Sequence, residues 1–254
     1  MKPLQWLIKK TLLNWEHPLY SRNLFLLCSR YVDMWYGDNN IDRTTNGEFW
    51  LLRKLMPHAQ VVVDVGANIG VYSGEILKIN PKISIHAFEP DPAVCEELQK
   101  LPLIANNFAL GEQAETKTLH LTPRSTHNSF YPGESGARPL SVPVSTLDTY
   151  CAEHNLTHID FLKVDVEGFE FFVLKGARGL LEKGAIEYVQ FEFSGGTLLS
   201  RVFLKDFIDL FDSYGYDLYR IRANDVQFVD YFPARERFTL TNYLAIKRGN
   251  PIPK

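Results

Sequence analysis

The chain has 254 residues, 45% of them hydrophobic and 22% charged, which excludes global disorder, a collagen-like chain and a disulfide scaffold. Lys+Arg total 27 against Asp+Glu 30, so the basic excess of a dedicated nucleic-acid binder is missing. Cys28, Cys95 and Cys151 are scattered and form no CxxC pair, so they predict neither a zinc knuckle nor a disulfide framework.

Residues 1–56 read as a helical, aromatic-rich cap on the substrate side of a main domain that fills 57–254. Leu4, Leu7, Ile8, Thr11, Leu12 and Trp15 keep helical spacing. Phe49, Leu52 and Leu55 do the same, with Asn46 placed to cap them and Pro57 to stop them. Lys9 and Lys10 interrupt the early apolar run and no small-residue cleavage site follows, so the run is not read as a signal peptide. No stretch reaches the ~18–20 apolar residues of a membrane span, which leaves only a peripheral contact with a membrane surface open. With reduced thiols, the expected compartment is the cytoplasm.

From Val61 strands and helices alternate. Val61–Val65 is a β-branched apolar run, the pattern of a strand buried on both faces. A helix is expected from Ile69 to Lys78 and a second strand over Ile83–Phe88. Another helix follows over Pro92–Lys100, with Asp91 as its cap, and a third strand over Ile104–Ala109. Short strands at Thr116–Leu121 and Leu140–Val144 flank Thr122–Pro139, a loop long enough to act as a lid or binding loop. Thr146–Asn155 reads as helix, Ile159–Val164 as strand, Phe169–Glu182 as helix and Ile186–Phe193 as strand. A long helix over Leu198–Tyr214 and strands over Asp217–Ile221 and Asn242–Lys247 complete the chain. The alternation predicts an α/β fold with a doubly wound, mostly parallel sheet, helices on both faces and ligands at the carboxyl ends of the strands.

Those strand ends carry the candidate site. After the first comes Asp64-Val65-Gly66-Ala67-Asn68-Ile69-Gly70, a glycine turn between strand and helix. A dinucleotide fold wants Gly-x-Gly-x-x-Gly, and this register differs. It is closer to the acidic-x-Gly-x-Gly-x-Gly turn of S-adenosylmethionine-dependent methyltransferases, with Asn68 at the middle glycine. Glu89, after the second strand, is suited to accept hydrogen bonds from two ribose hydroxyls. Asn107 and Ala109, after the third, would lie near an adenine. Asp165 and Glu167 follow the fourth strand, two residues apart, and Glu192 sits in the aromatic fifth, where an unpaired carboxylate is costly.

Together, Asp64–Gly70, the Phe88-Glu89-Pro90 strand end and Leu162–Glu170 resemble the FkbM-type methyltransferases. Thr146-Leu147-Asp148 and Leu174-Lys175-Gly176-Ala177 also fit. The resemblance covers about Glu48 to Phe193 and, more loosely, Asn242–Leu244. It leaves the first 45 residues and Ser194–Thr241 without assigned motifs. It implies a Rossmann-like, class I methyltransferase fold of seven strands with the last-added one antiparallel, S-adenosylmethionine as donor, and a hydroxyl of a sugar, glycan, glycolipid or natural product as acceptor. Gly66, Asn68 and Gly70, with Ala67 between them, would then form the donor loop. Asp64 would help hold the donor's ammonium, Glu89 its ribose, and Asp165 would lie beside its methionine portion.

The resemblance supplies no catalytic base. Asp165, Glu167 and Glu192 are the candidates, with His127 in the long loop further out. The same three carboxylates also suit a Mg²⁺ site, and the sequence does not separate the two. Rival readings are a nicotinamide-dependent oxidoreductase, opposed by the register at Ala67 and Asn68, and a non-catalytic module that binds the donor only. Methylation of nucleic-acid bases is disfavoured, because Asp165-Val166-Glu167-Gly168 stands where an Asn/Asp-Pro-Pro-aromatic turn is expected. Oligomeric state is not readable from the sequence.

Overall fold

Burial on both faces is what makes the central strands read as unbroken apolar runs, and the computed structural model of the chain places them accordingly. It describes residues 18–123, 127–132, 136–233 and 236–254. In chain order the elements are α1 (Pro18–Tyr36), α2 (Glu48–Leu55), β1 (Val61–Val65), α3 (Val71–Ile79), β2 (Ser84–Phe88), α4 (Pro92–Leu98), β3 (Ile104–Asn106), β4 (Ala109–Leu110), β5 (Glu115–Leu121), β6 (Arg138–Ser145), α5 (Leu147–Glu153), β7 (Ile159–Val164), α6 (Glu170–Lys175), α7 (Arg178–Glu182), β8 (Ile186–Phe193), α8 (Gly196–Ser200), α9 (Leu204–Ser213), β9 (Tyr216–Arg222), β10 (Asp225–Phe228) and β11 (Thr241–Lys247). The chain divides into two compact units after Asn39, with α1 in the first and every later element in the second. The helix expected over Leu4–Trp15 lies outside the described residues, as do parts of the Thr122–Pro139 loop.

The main sheet runs β10-β9-β11-β8-β7-β1-β2-β3. β3, β2, β1, β7 and β8 are parallel neighbours, and β11 enters antiparallel between β8 and β9. This is the expected doubly wound order with its reversed final strand. An eighth strand, β10, is added at the edge by a tight hairpin after β9. A separate three-stranded sheet, β4-β6-β5, stands beside it.

Each sheet face buries its own apolar layer. On one, Val63, Leu162, Val189 and Phe191 pack with helix residues Val173, Phe207 and Phe211. On the other, Val62, Phe161, Tyr188 and Leu244 meet Leu51, Leu52, Tyr72 and Ile76. Phe191 of β8 stacks on Phe207 of α9 with ring centroids 4.4 Å apart.

Three elements depart from the expected boundaries, each for a local reason. The expected third strand ends at Asn106, and Ala109–Leu110 instead pairs with β6 in the small sheet. The Phe169–Glu182 helix divides at Gly176, where a side chain would strike the Gly111 carbonyl at 1.9 Å. Asp148 then caps the second piece, accepting the Gly179 and Leu180 N–H groups at 2.7 and 3.0 Å. The Leu198–Tyr214 helix breaks at Arg201, which is left-handed (φ 59°), and restarts where Asp206 accepts the Phe203 N–H at 2.8 Å. Cys95 and Cys151 are buried thiols and Cys28 is exposed. Among the described residues no helix is long and apolar enough to cross a membrane.

Truncating the ring at the centre of the larger apolar layer tests this packing. Phe191→Ala should lose about 3–5 kcal/mol in urea unfolding, with the slope of the transition unchanged.

Candidate functional site

The turn after β1 is clamped from both sides. The N–H groups of Gly66 and Ala67 both donate to the Phe88 carbonyl of β2 at 3.0 Å, and the Asp165 N–H donates to the Val65 carbonyl at 3.0 Å. Gly66 has φ +80°, and a Cβ there would lie 1.9 Å from the Asp165 carbonyl oxygen, so only glycine fits. Asn68 is also left-handed, and its N–H donates to Glu89 Oε2 at 3.0 Å. The Glu89 carboxylate takes a second backbone hydrogen, from Asp91, on Oε1 at 2.9 Å. It is 6% exposed. Burial outweighs those two hydrogen bonds and, with Asp91 and Asp64 nearby, pushes its pKa up to about 7.

A cleft of about 450 Å³ opens over these strand ends, within the range of small-molecule sites. Gly66, Asn68, Glu89 and Ala109 line it, as do Asp165, Glu167, Glu192 and His127. Four other expected residues do not line it. Asp64 is fully buried and accepts the Ser73 hydroxyl at 2.6 Å. Ala67 joins the apolar layer beneath, and the position a Gly70 side chain would need is filled by Leu98 and Leu101. Asn107 donates to the Glu89 carbonyl at 2.9 Å, so it holds the β2 end rather than the cleft.

Beneath the carboxylates runs a buried polar layer, and the sequence reading missed most of it. Lys163, 2% exposed, donates to Asp165 Oδ2 at 2.9 Å, stands 3.9 Å from Asp64 Oδ1 and lies 4.8 Å from the Tyr72 ring centroid. Tyr72 donates to Gln190 Oε1 at 2.7 Å, and Gln190 donates to Glu48 Oε1 at 2.9 Å. Asn46 bonds the other Glu48 oxygen at 2.8 Å, with Arg43 3.7 Å away on the cleft wall. A signal for this layer existed. Lys163 in Ile159–Val164 and Gln190 in Ile186–Phe193 are polar residues placed within the apolar stretch of doubly buried strands, and such groups must be paired.

These partners divide the acidic groups. Burial lowers the Lys163 pKa, but Asp165, Asp64 and Glu48 more than reverse that and raise it. Burial would raise Asp165, yet the charge and hydrogen bond of Lys163, with Arg43, hold it below the ordinary carboxylate range. Glu192 feels Lys163 only weakly: burial first, then Asp165, Glu167 and Glu170, outweigh that cation and push its pKa well above its usual value. Glu170 accepts the Val166 and Gly168 N–H groups at 2.9 and 3.1 Å, and burial lifts it to about 7. Glu167 is left-handed (φ 54°), and its carbonyl accepts the Ser129 hydroxyl at 2.8 Å.

The Ser129 contact belongs to the described part of the long loop, which is fastened on both sides of the cleft. Asn128 donates to Asp91 Oδ2 at 3.2 Å beside Glu89, and Phe130 meets Phe169 with ring centroids 4.8 Å apart. Among the described residues, the one trio of metal-ligand side chains drawn within 4.8 Å of one another is His158, Asp160 and Glu187. It lies at the opposite ends of β7 and β8, and Asp165, Glu167 and Glu192 are not gathered that closely.

Removing the buried cation should leave Asp64 and Asp165 uncompensated. Lys163→Met is expected to cost about 3–5 kcal/mol at pH 7. The sign with pH follows from Asp165, whose folded pKa is depressed: its stabilisation is present above the unfolded value of about 3.9 and is lost as pH falls through the folded one. The variant's orphaned Asp165 can protonate, so the deficit measured by denaturant titration should shrink as pH falls toward about 4.

Comparison with known proteins places the chain in a family. The chain is 27% identical over 154 residues to the 2-O-methyltransferase NoeI of Sinorhizobium fredii, covering 52% of this chain and 63% of that protein. It is 25% identical over 163 residues to the hexuronic acid methyltransferase AglP of Haloferax volcanii, covering 61% and 65%. The chain therefore spans less than two thirds of the length of these curated relatives. Among solved structures, the FkbM methyltransferase of Methylobacillus flagellatus aligns with a TM-score of 0.44 at 18% identity, over 73% of this chain and 43% of that one. The methyltransferase FkbM domain matches residues 64–218, more than half of the sequence, and the chain belongs to that family.

Proposed function

We propose that this chain is an S-adenosylmethionine-dependent methyltransferase that delivers a methyl group to a hydroxyl oxygen of a sugar, glycan, glycolipid or related natural product. The observation that carries the reading is Glu89. Each of its oxygens accepts one backbone N–H, from Asn68 and from Asp91. Each keeps acceptor capacity for one hydroxyl of a ribose diol. The residues present fit such a donor: Gly66 brings bare backbone to the cleft edge, and Ala109 and Phe108 line the stretch beyond Glu89 where an adenine would lie. Asp165 would face the methionine end, while Asp64, Ala67 and Gly70 shape the turn from behind and Asn107 holds the end of β2. When bound, the donor supplies a methyl group activated by a sulfonium.

The acceptor hydroxyl needs a base, and the carboxylates differ in fitness for that task. Asp165 is committed to Lys163 and acidified, so it is a weak base that contributes negative charge. Glu192 lines the cleft and is raised by burial and by the charges around it, so it binds a proton more strongly than Asp165. We assign it as the general base, with Glu167 on the loop beside it. Lys163 already supplies the counter-charge that a cation would bring to Asp165, which favours the base over a Mg²⁺ site. A 2-O-methyltransferase and a hexuronic acid methyltransferase among the relatives support oxygen, and a sugar, as the acceptor class.

Calorimetry with S-adenosylhomocysteine tests the donor site, and saturation by NAD in its place would overturn the reading. Affinity should rise between pH 6 and pH 8 as Glu89 ionises through about 7 and becomes acceptor-only. In Glu89→Gln that rise should flatten and binding should weaken about tenfold or more. With labelled donor and a panel of glycan acceptors, Glu192→Gln should lower turnover by about 10²–10⁴ and leave S-adenosylhomocysteine binding intact. Turnover should survive EDTA; inhibition reversed by Mg²⁺ would return the carboxylates to metal binding.

A further inference from the structure

We propose that the first compact unit docks this chain onto an anionic lipid surface. On α1, Phe25 (70%), Leu27 (65%), Tyr31 (65%) and Met34 (81%) are all strongly exposed. At 100° per residue, Met34, Leu27, Tyr31, Leu24, Trp35, Val32 and Phe25 share one broad arc, while Arg22, Ser29, Arg30 and Asp33 fall on the other with Leu26 among them. A contiguous apolar face of this kind on an exposed helix marks an interaction site. The helix has 19 residues but carries Arg22, Arg30 and Asp33 and does not qualify as a membrane span, so it would lie in the interface plane.

Charge and aromatic content select the occupant. Residues 1–39 hold five basic residues (Lys2, Lys9, Lys10, Arg22 and Arg30) against Glu16, Asp33 and Asp38. The remaining residues hold 22 basic and 27 acidic ones, so the positive excess is confined to this unit. Three of the four tryptophans, Trp6, Trp15 and Trp35, lie there too, with Tyr20, Tyr31 and Tyr36. Tryptophan and tyrosine favour the headgroup level, and lysine and arginine favour anionic lipid. A second copy of the unit would bring like charge against like charge, which disfavours self-association. This inference does not rest on the proposed methyl transfer.

Flotation of the full chain with phosphatidylglycerol–phosphatidylethanolamine vesicles tests it. The chain should float with them and not with phosphatidylcholine vesicles, and salt near 1 M, where the Debye length is about 3 Å, should weaken the association. Arg22→Gln combined with Arg30→Gln should lower partitioning about tenfold or more. Phe25→Ser, Leu27→Ser and Met34→Ser combined should abolish flotation, with an unchanged thermal midpoint showing that the fold is retained. No flotation on anionic vesicles overturns the proposal. So does equal binding to both lipids that the arginine changes leave intact, or a dimer in sedimentation equilibrium that the triple substitution splits.

Discussion

One buried cation organises this molecule. Lys163 lies in the central sheet between Asp64 on the neighbouring strand and Asp165 at the tip of its own, with the Tyr72 ring beside it. An ammonium there is tolerable only because carboxylates face it, and those carboxylates are tolerable only because the ammonium is present. The interaction ties β1, β7 and α3 together beneath the place where the glycine turn leaves the sheet. Its reach extends through Tyr72 and Gln190 to Glu48 at the start of α2. The cleft floor is thus a hydrogen-bonded polar layer laid on an apolar one, and each strand changes character along its length: Phe161 below Lys163, Tyr188 below Gln190 and Val62 below Asp64 all belong to the apolar layer.

That layer explains why neighbouring carboxylates behave differently. Asp165 touches the cation and is acidified. Glu192, one strand over, receives the repulsion of Asp165, Glu167 and Glu170, which the weaker pull of Lys163 does not offset. Environment separates the roles of groups that are chemically alike, which is how a site obtains both a fixed charge and a proton acceptor from one residue type. The long loop adds a mechanical link: Asn128 holds Asp91 next to Glu89, and Ser129 holds the Glu167 carbonyl, so the two halves of the cleft share one strap.

The parts of this arrangement legible in the sequence are those with strong local signals. Doubly buried strands announced the sheet, and the turn Asp64–Gly70 and the strand ends at Glu89 and Asp165 announced where the cleft lies. Less legible was depth. Asp64, Ala67 and Gly70 are near the cleft in sequence yet do not line it, because Asp64 is taken up by Ser73 and Lys163, Ala67 by the apolar layer and Gly70 by its approach to Leu98 and Leu101. Hidden most fully were long-range contacts: Gly176 against the Gly111 carbonyl, which breaks a helix the periodicity ran through, and Gln190 bonded to Glu48 from 142 positions away. The edge strand β10 lacked signal for a different reason. Its burial is slight, so no alternation had to be written into Asp225–Phe228.

The raised carboxyls also bear on stability. Glu89 and Glu170 titrate near 7 in the folded chain and near 4.3 when unfolded, so between those values the folded state holds protons that the unfolded state has released. Stability therefore falls as pH rises through that window and levels off above it, opposite in sign to the contribution of Asp165, which is lost only as pH falls toward and below its unfolded value. At neutral pH the fold carries acidic repulsion around the cleft that Lys163 offsets on one side only. A positively charged ligand placed among Asp165, Glu167 and Glu192 would relieve that repulsion, and a neutral one would not. On the proposed reading, the donor's sulfonium is such a charge, and its demethylated product has lost it. The product would then be held by Glu89 and the glycine turn with less help from the acidic cluster. Methyl transfer itself would weaken the grip on the product relative to the donor, a direction that favours release after turnover.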